Sequence, residues 1–155
     1  MDVQGASHER SSVEIPAESI AAAAIRASHT VQAVRRIEVL QDAARAVIEA
    51  ARIAGCSQLV PVNAAAEPLA TAAVLIGGGE LTFSDADHIS ADRVLLVDAA
   101  TVTGGSTRSC ARLVRARGAT WVAAAIYDRV RPDLDELEGD PLIDMIAPTY
   151  VPAPA

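Results

Sequence analysis

The sequence predicts an α/β domain with a mainly parallel β-sheet flanked by helices. Three apolar runs have strand character, at Gln58–Val62, Arg93–Asp98 and Thr120–Tyr127. Helical patterns lie between them, from about Glu67 to Ile76 and from about Ser106 to Arg117. Arg93–Asp98 is the strongest strand, because its apolar run is unbroken, as is typical of strands buried on both faces of a parallel sheet. Strands that alternate with helices indicate βαβ units.

The rest of the chain is less regular. Thr30–Ile37 has β-branched residues and fits either a short strand or a continuation of the first helix. The other predicted elements are a helix over Ile20–Ala27, a helix from Asp42 to Ala54 that ends at Gly55, a brief strand at Glu80–Phe83 and a loop at Ser84–Asp92. We expect three regions: a flexible leader over 1–15, one domain over 16–131, and an irregular, acidic and Pro-rich tail over 132–155. One short helical turn is expected in that tail, near Leu134–Leu137.

The composition limits the class of protein. Hydrophobic residues make up 51% of the 155 residues, which is enough for one core, and only 3% are aromatic, so Ala, Val, Leu and Ile must build it. The formal net charge of −7 argues against non-specific nucleic-acid binding, which needs clustered positive charge. The longest apolar stretches, Ile20–Ile25 and Leu69–Ile76, are shorter than the roughly 20 residues of a membrane span. We therefore expect no nucleic-acid or membrane partner.

The cysteines and the first residues indicate a cytoplasmic protein. Cys56 and Cys110 have no metal-like spacing, and we interpret them as reduced thiols in the core. Met1–Ser12 lacks the basic-then-apolar order of a secretory signal. His88 lies among acidic residues in the Ser84–Asp92 loop, where a solvated turn is a better interpretation than a metal site. No metal site formed by side chains is predicted.

The stretch from Val94 to Thr107 has the pattern of an anion-binding site. A buried strand ends in the carboxylate of Asp98, and a loop rich in Thr and Gly then opens directly into a helix. Ligands of open α/β sheets bind at this end of the strands, and the first turn of a helix offers free N–H groups to a phosphate. The predicted phosphate-binding residues are Thr103, Gly104, Gly105, Ser106 and Thr107. Arg108 is close enough in sequence to contact a bound phosphate.

This stretch resembles the ribose-phosphate-binding motif of type I phosphoribosyltransferases, in particular the orotate-type members. That motif has a hydrophobic run, two acidic residues, two variable residues, Thr-Thr-Gly or similar, and a hydroxyl residue. Asp98 matches the first acidic position, Thr103 and Gly104 match the phosphate loop, and Ser106 and Thr107 match its far rim. Upstream, Asn63–Ala66 occupies the place of the pyrophosphate-binding loop. The resemblance covers most of residues 28–131.

The resemblance implies a Rossmann-like sheet of the phosphoribosyltransferase type, in a minimal version without a recognisable hood. It implies binding of 5-phosphoribosyl diphosphate or a nucleoside 5′-monophosphate, and transfer of phosphoribose to a nitrogen base. Asp98 would be the catalytic residue that holds the ribose, and Mg²⁺ would bind through the diphosphate. The resemblance also implies a homodimer.

Four features depart from the family's pattern. The second acidic position is Ala99, and the pyrophosphate loop reads Asn63, Ala64, Ala65, Ala66 where glycines normally approach the diphosphate. The interval Phe83–Asp92, where a flexible basic loop should lie, is short and acidic, and the chain has no lysine. Because pyrophosphate departure needs preorganised positive charge, two functions stay open: a phosphoribosyltransferase, or an inactive relative that senses nucleotides or has a structural role. A third interpretation is an unrelated α/β domain whose loop matches the motif by chance.

Overall fold

The computed structural model describes residues 17–148 of the chain. Its helices are α1 (Ala17–Ala33), α2 (Ile37–Ala54), α3 (Glu67–Ile76) and α4 (Gly105–Ala116), with one short 3₁₀-helix at Ala64–Ala66. Its strands are β1 (Gln58–Pro61), β2 (Thr82–Phe83), β3 (Arg93–Thr101), β4 (Trp121–Arg129) and β5 (Met145–Ile146).

The five strands form one sheet in the order β2-β1-β3-β4-β5, and every neighbouring pair is parallel. From β1 the chain moves outward to β2, and it then returns to the other side of β1 to form β3. The strand order therefore reverses between β1 and β3. Because βα crossovers in parallel sheets are right-handed, the helices that follow these two strands lie on opposite faces. The predicted α/β class with a mainly parallel sheet is confirmed.

Each face of the sheet has its own core. On one face, α2 and α3 pack against Leu95, Val97 and Ala99 of β3. On the other face, α4 packs against the alternate residues of the same strand, Val94 and Leu96. This alternation follows from the two-residue period of a strand. β3 is accordingly buried on both sides, as its unbroken apolar run predicted.

Alanine is the main core residue of α2. Its buried positions recur at helical spacing and are Ala43, Ala44, Val47, Ala50, Ala51 and Ala54. Small side chains at a helix contact let the backbones approach closely, which suits a chain with few aromatic residues. The helix ends at Gly55, whose φ of 68° is left-handed, and the amide of Cys56 donates to the Ala51 carbonyl. The predicted helix end at Gly55 is confirmed.

Of the two alternatives for Thr30–Ile37, the structure has the helical one, since α1 continues to Ala33 and α2 begins at Ile37 after a short turn. Two predictions about the tail differ from the structure. The tail contributes β5, which pairs with Ala123 and Ala124 of β4, whereas the sequence predicted no strand there. The short helix expected near Leu134–Leu137 is only a hydrogen-bonded turn, in which the Leu134 amide donates to the Arg131 carbonyl. The leader 1–15 and the last residues from 149 lie outside the described range.

Two further expectations concern the state of the cysteines and the presence of membrane spans. Cys56 and Cys110 are both free thiols buried in the core. Among residues 17–148, no helix is long and apolar enough to cross a membrane.

Candidate functional site

The candidate site lies where the strand order reverses, at the carboxyl ends of β1 and β3. The segments that leave these two strands run to opposite faces of the sheet, so a crevice opens between them. Ligands of open parallel sheets bind at such a point. The segment after β3 is the predicted phosphate loop, and the segment after β1 is the counterpart of the pyrophosphate loop. The topology therefore brings the two predicted halves of the site together.

The phosphate loop is a tight turn held by its own hydroxyl groups. Thr101, the last residue of β3, accepts a hydrogen bond from the Gly104 amide on its side-chain oxygen at 2.8 Å. The Thr103 hydroxyl accepts from the Gly105 amide at 3.3 Å. Gly104 has a φ of 80°, a left-handed conformation that is costly for residues with a Cβ. Of the loop's two glycines, Gly104 and Gly105, only Gly104 has a positive φ.

Two backbone amides remain free at the start of α4. Neither Ser106 nor Thr107 donates its amide to any acceptor in the described part of the chain, whereas the Arg108 amide already donates to the Gly104 carbonyl. The first turn of a helix leaves such donors, and its dipole favours negative charge there. The side chains of Thr103 and Ser106 are exposed beside these amides. The loop therefore presents donors suited to a phosphate group.

Arg108 adds positive charge at the same loop. Its guanidinium donates to the carbonyl oxygen of Thr103 at 3.2 Å, so the side chain folds back over the loop. The next arginine on the same helix, Arg112, is exposed one turn further along. Arg108 thus lies where the sequence placed it, next to the predicted phosphate-binding residues.

Asp98 is buried beneath the loop. It is 3% exposed, and the hydroxyl of Thr107 donates to its Oδ2 at 3.3 Å. Burial raises the pKa of the Asp98 carboxyl to about 6, although backbone hydrogen bonds from Ala100 and Ala99 and the Thr107 hydroxyl favour the charged form. Burial and the nearby Asp98 charge raise the pKa of the Cys110 thiol to about 11. Cys110 is accordingly a poor nucleophile at neutral pH.

One backbone amide in the counterpart of the pyrophosphate loop is already used within the chain. Ala64–Ala66 forms the short 3₁₀-helix, and the Ala66 amide donates to both the side chain and the carbonyl of Asn63, each at 3.1 Å. α3 begins at the next residue, Glu67. Within residues 17–148 every residue with a positive φ is a glycine, so the alanines adopt only ordinary conformations. The Ala66 amide is therefore not available to a diphosphate.

The second acidic position of the motif is part of the core. Ala99 is fully buried on the face of the sheet covered by α2 and α3, where Val34 and Val97 belong to the same cluster. A carboxylate at this position would lose its hydration in a mainly apolar cluster. At the motif's second acidic position this chain therefore has a residue that packs in the core.

The acidic loop between β2 and β3 is fastened to the sheet by one buried amide. The side chain of Gln58, 3% exposed, donates to the Ser84 hydroxyl at 2.7 Å and to the His88 carbonyl at 3.0 Å. Its oxygen accepts from the amides of Ser90 and Ala91 at 3.1 and 3.0 Å. The loop covers one face of β1 and lies next to α4, which packs on the same face of the sheet. A crossover helix would occupy this place in a regular βαβ unit.

His88 belongs to a surface turn within this loop. Its ring nitrogen contacts Asp85 at 2.6 Å, and the Asp87 carboxylate pairs with Arg117 at 2.9 Å. Among the described residues, no group of three or more His, Cys, Asp or Glu side chains could hold a metal ion.

A groove of about 500 Å³ separates the acidic loop from α4. Its lining residues come from the end of β1, from the loop and from the exposed side of α4, and they are Pro61, Val62, Ala86, Gly105, Ser106, Ser109, Cys110 and Leu113. The volume is within the range of small-molecule sites. The groove begins at Ser106, so a ligand whose phosphate meets the free amides has room beside them.

Three residues of the site were missed by the sequence interpretation. Thr101 was not among the predicted site residues, although a hydroxyl three residues before Gly104 is a signal for this kind of turn. Gln58 was read as a strand residue, and a buried glutamine has no local signal. Leu137, which is 1% exposed, packs directly on Gly104, so that an added Cβ there would lie 2.7 Å from Leu137 Cγ. Nothing near Leu137 in the sequence indicates this long-range contact.

The end of β4 contributes a second buried carboxylate. Asp128 accepts hydrogen bonds from Arg26 at 3.1 Å and from the Thr30 hydroxyl at 2.6 Å, both on α1. These bonds fix α1 across the carboxyl ends of the strands. Asp128 is thereby engaged in a structural contact.

No protein-family model matches this chain, and no curated protein matches it significantly in sequence. The class that the structure defines is an α/β protein with a five-stranded all-parallel sheet flanked by helices.

Proposed function

We propose that the protein binds the 5′-phosphate of a phosphoribosyl compound, such as a nucleoside 5′-monophosphate, and does not transfer phosphoribose. In this proposal the chain is a minimal phosphoribosyltransferase-type domain that has kept one half of the site. The observation that carries the proposal is the pair of free amides of Ser106 and Thr107 at the start of α4. They lie at the point where the strand order reverses.

The chemistry of the loop favours a phosphate monoester over other anions. The amides of Ser106 and Thr107 and the hydroxyls of Thr103 and Ser106 offer several hydrogen-bond donors at one loop, and a phosphate monoester has three terminal oxygens to accept them. Arg108 places a cation at the same loop. The adjoining groove of about 500 Å³ leaves space for the remainder of the ligand.

The other half of the site does not support transfer of the phosphoribosyl group. Transfer would require the diphosphate and its Mg²⁺ to be held near Asn63–Ala66, but the Ala66 amide is capped by Asn63. Ala99 lies in the core, and the loop over residues 84–92 is acidic and fastened by Gln58. These residues do not fit a magnesium diphosphate. The acidic loop and the absence of lysine from the sequence both disfavour stabilisation of the departing charge.

Calorimetric titration of the purified protein tests the proposal. The ligands are ribose 5-phosphate, a set of nucleoside 5′-monophosphates, the matching nucleosides, and 5-phosphoribosyl diphosphate with and without Mg²⁺. We expect saturable binding of the phosphorylated ligands, no heat from the nucleosides, and no gain in affinity from the diphosphate and Mg²⁺.

A matched pair of arginine variants locates the site. Arg108→Ala removes the cation at the loop and should weaken binding about ten-fold or more, as expected for loss of a charged hydrogen bond. Arg112→Ala makes the same change in net charge one turn away and should have a much smaller effect.

Two results would contradict the proposal. If ribose 5-phosphate and all the monophosphates give only heats of dilution, the loop is not a phosphate site. If incubation with 5-phosphoribosyl diphosphate, Mg²⁺ and a set of nitrogen bases releases pyrophosphate above the background, the protein is a transferase.

A further inference from the structure

The segment that follows β4 lies against the phosphate loop. We name residues 131–139 the strap. The chain leaves the sheet at Val130, whose amide donates to the carbonyl of Thr101 at 2.9 Å, so the strap starts beside the end of β3. Leu137 of the strap then packs on Gly104, with Cγ, Cδ2 and Cδ1 all within 3.2 Å of the position that a Cβ would take. The side chain of Leu137 therefore fills the space that is open because Gly104 has no Cβ.

A buried ion pair fixes the strap. Arg129, at the end of β4, donates to the two carboxylate oxygens of Asp135 at 3.2 and 2.5 Å. The Asp135 side chain is 0% exposed and that of Arg129 is 18% exposed. Asp135 also accepts from the Leu137 amide at 3.4 Å, so the same carboxylate orients the residue that contacts Gly104. Glu138, exposed at the surface, adds an outer contact to Arg129 at 3.2 Å.

Grooves open to solvent lie on two sides of the strap. One, of about 270 Å³, lies between Leu137–Gly139 and the stretch Ile143–Ile146. Another, of about 390 Å³, lies between Arg129, Pro132 and Glu138 on one side and the end of β5 on the other. The strap contacts the phosphate loop through Leu137 and is fixed by the Arg129–Asp135 pair.

We propose that Leu137 is a positioning residue for the phosphate loop. Held by the Arg129–Asp135 pair, Leu137 fills the space above Gly104 and keeps the loop in the turn that leaves the Ser106 and Thr107 amides free. The role in ligand binding rests on the proposed function, whereas the effect on the loop does not. Since such coupling is reciprocal, a phosphate bound at the loop stabilises the closed strap by the same factor as the strap strengthens binding.

The effect on the loop is measured first, without any ligand. Amide chemical shifts of Gly104–Thr107 are compared by ¹⁵N-resolved nuclear magnetic resonance in the wild type and three variants. Leu137→Ala should shift these amides, and Leu137→Met should restore most of the wild-type positions because it keeps the volume. Ile143→Ala is the matched control, since Ile143 is a buried aliphatic residue of the same tail, and the atoms nearest to the Cβ position of Gly104 all belong to Leu137.

A double-mutant cycle between Gly104 and Leu137 measures the contact itself. Gly104→Ala meets both the strain of a positive φ and the overlap with Leu137. In the Leu137→Ala background only the strain remains. Gly104→Ala should therefore raise the unfolding equilibrium constant roughly ten-fold or more beyond its effect in the Leu137→Ala background.

Titration with ribose 5-phosphate completes the test. Leu137→Ala and Asp135→Asn should each weaken binding about ten-fold, while Ile143→Ala should bind as the wild type does even where its stability falls equally. If the loop amides do not move in Leu137→Ala, or if the cycle is additive, the inference is wrong whatever the ligand. If they move as expected and the wild type does not bind, the proposed function fails while the positioning of the loop by Leu137 is upheld. Equal affinities of Leu137→Ala and Ile143→Ala would overturn the role in binding.

Discussion

Replacing Asp98 by asparagine should remove a pH-dependent destabilisation of the fold. Asp98 is 3% exposed, and burial raises the pKa of its carboxyl from 3.8 to about 6. A carboxyl with a raised pKa favours folding while it is protonated, and that advantage is lost as the pH rises from the unfolded pKa to the folded one. Since each pKa unit corresponds to about 1.4 kcal/mol, the wild type should lose about 3 kcal/mol between about pH 4 and pH 7 from this group. Asp98→Asn keeps the shape and cannot ionise.

Urea denaturation followed by circular dichroism, repeated across this pH range, measures the effect. The informative quantity is the free energy of unfolding of Asp98→Asn minus that of the wild type, because contributions of other titrating groups cancel. This difference should rise by about 3 kcal/mol from about pH 4 to pH 7, with most of the change below about pH 6. A difference that stays flat, or that falls with pH, would refute the reasoning, since it would mean that the hydrogen bonds from Thr107 and the backbone outweigh the cost of burial.

Two further substitutions test the parts of the site that differ from the transferase pattern. Ala99→Asp introduces the second acid of the motif but buries an unpaired carboxylate, so it should destabilise the fold by at least about 3 kcal/mol in urea or thermal denaturation at neutral pH. The control Ala64→Asp, at an exposed position, should change stability little, and equal stabilities of the two variants would show that the Ala99 position is not closed. Gln58→Ala removes the side-chain amide that holds the acidic loop, so it should lower the free energy of unfolding by about 2 kcal/mol and speed backbone hydrogen exchange over residues 84–91. The control Gln41→Ala, exposed on α2, should do neither, and unchanged exchange in Gln58→Ala would show that other contacts hold the loop.

The parts of the fold that follow from local patterns could be predicted from the sequence. The bounds of α3 are those expected, and β3 begins at Arg93 as its apolar run indicated. Both signals are strong because a helix with a buried face and a strand buried on both sides leave clear periodicities. The sequence left Thr30–Ile37 open between a strand and a helical continuation, because β-branched residues favour strands only weakly; the structure has the helix, whose end packs against the sheet.

Features set by long-range contacts could not be predicted. β5 has only two residues, Met145 and Ile146, and it exists because β4 offers it a free edge. Leu137 belongs to the site only because the strap returns to Gly104, and no spacing in the sequence encodes that return. For the candidate site, the residues of the phosphate loop were foreseen as a group because they are contiguous, and their individual roles were not. Gly104 provides the turn, Thr101 holds it, and Thr107 contacts Asp98.

The two sides of the crevice differ in what they require of the sequence, and this explains how phosphate binding and transfer can be separated. A phosphate site at a helix start uses backbone donors and needs one residue with a positive φ, which Gly104 supplies. A diphosphate site after β1 needs free amides in an open loop, and a run of alanines after Asn63 adopts the cheaper alternative of a capped 3₁₀-helix. Glycines at Ala64 and Ala65 alone would leave the Asn63 cap on the Ala66 amide intact. In the proposed function, the absence of a diphosphate site follows from the local structure after β1, whereas the phosphate site depends on α4, Gly104 and the strap that holds it.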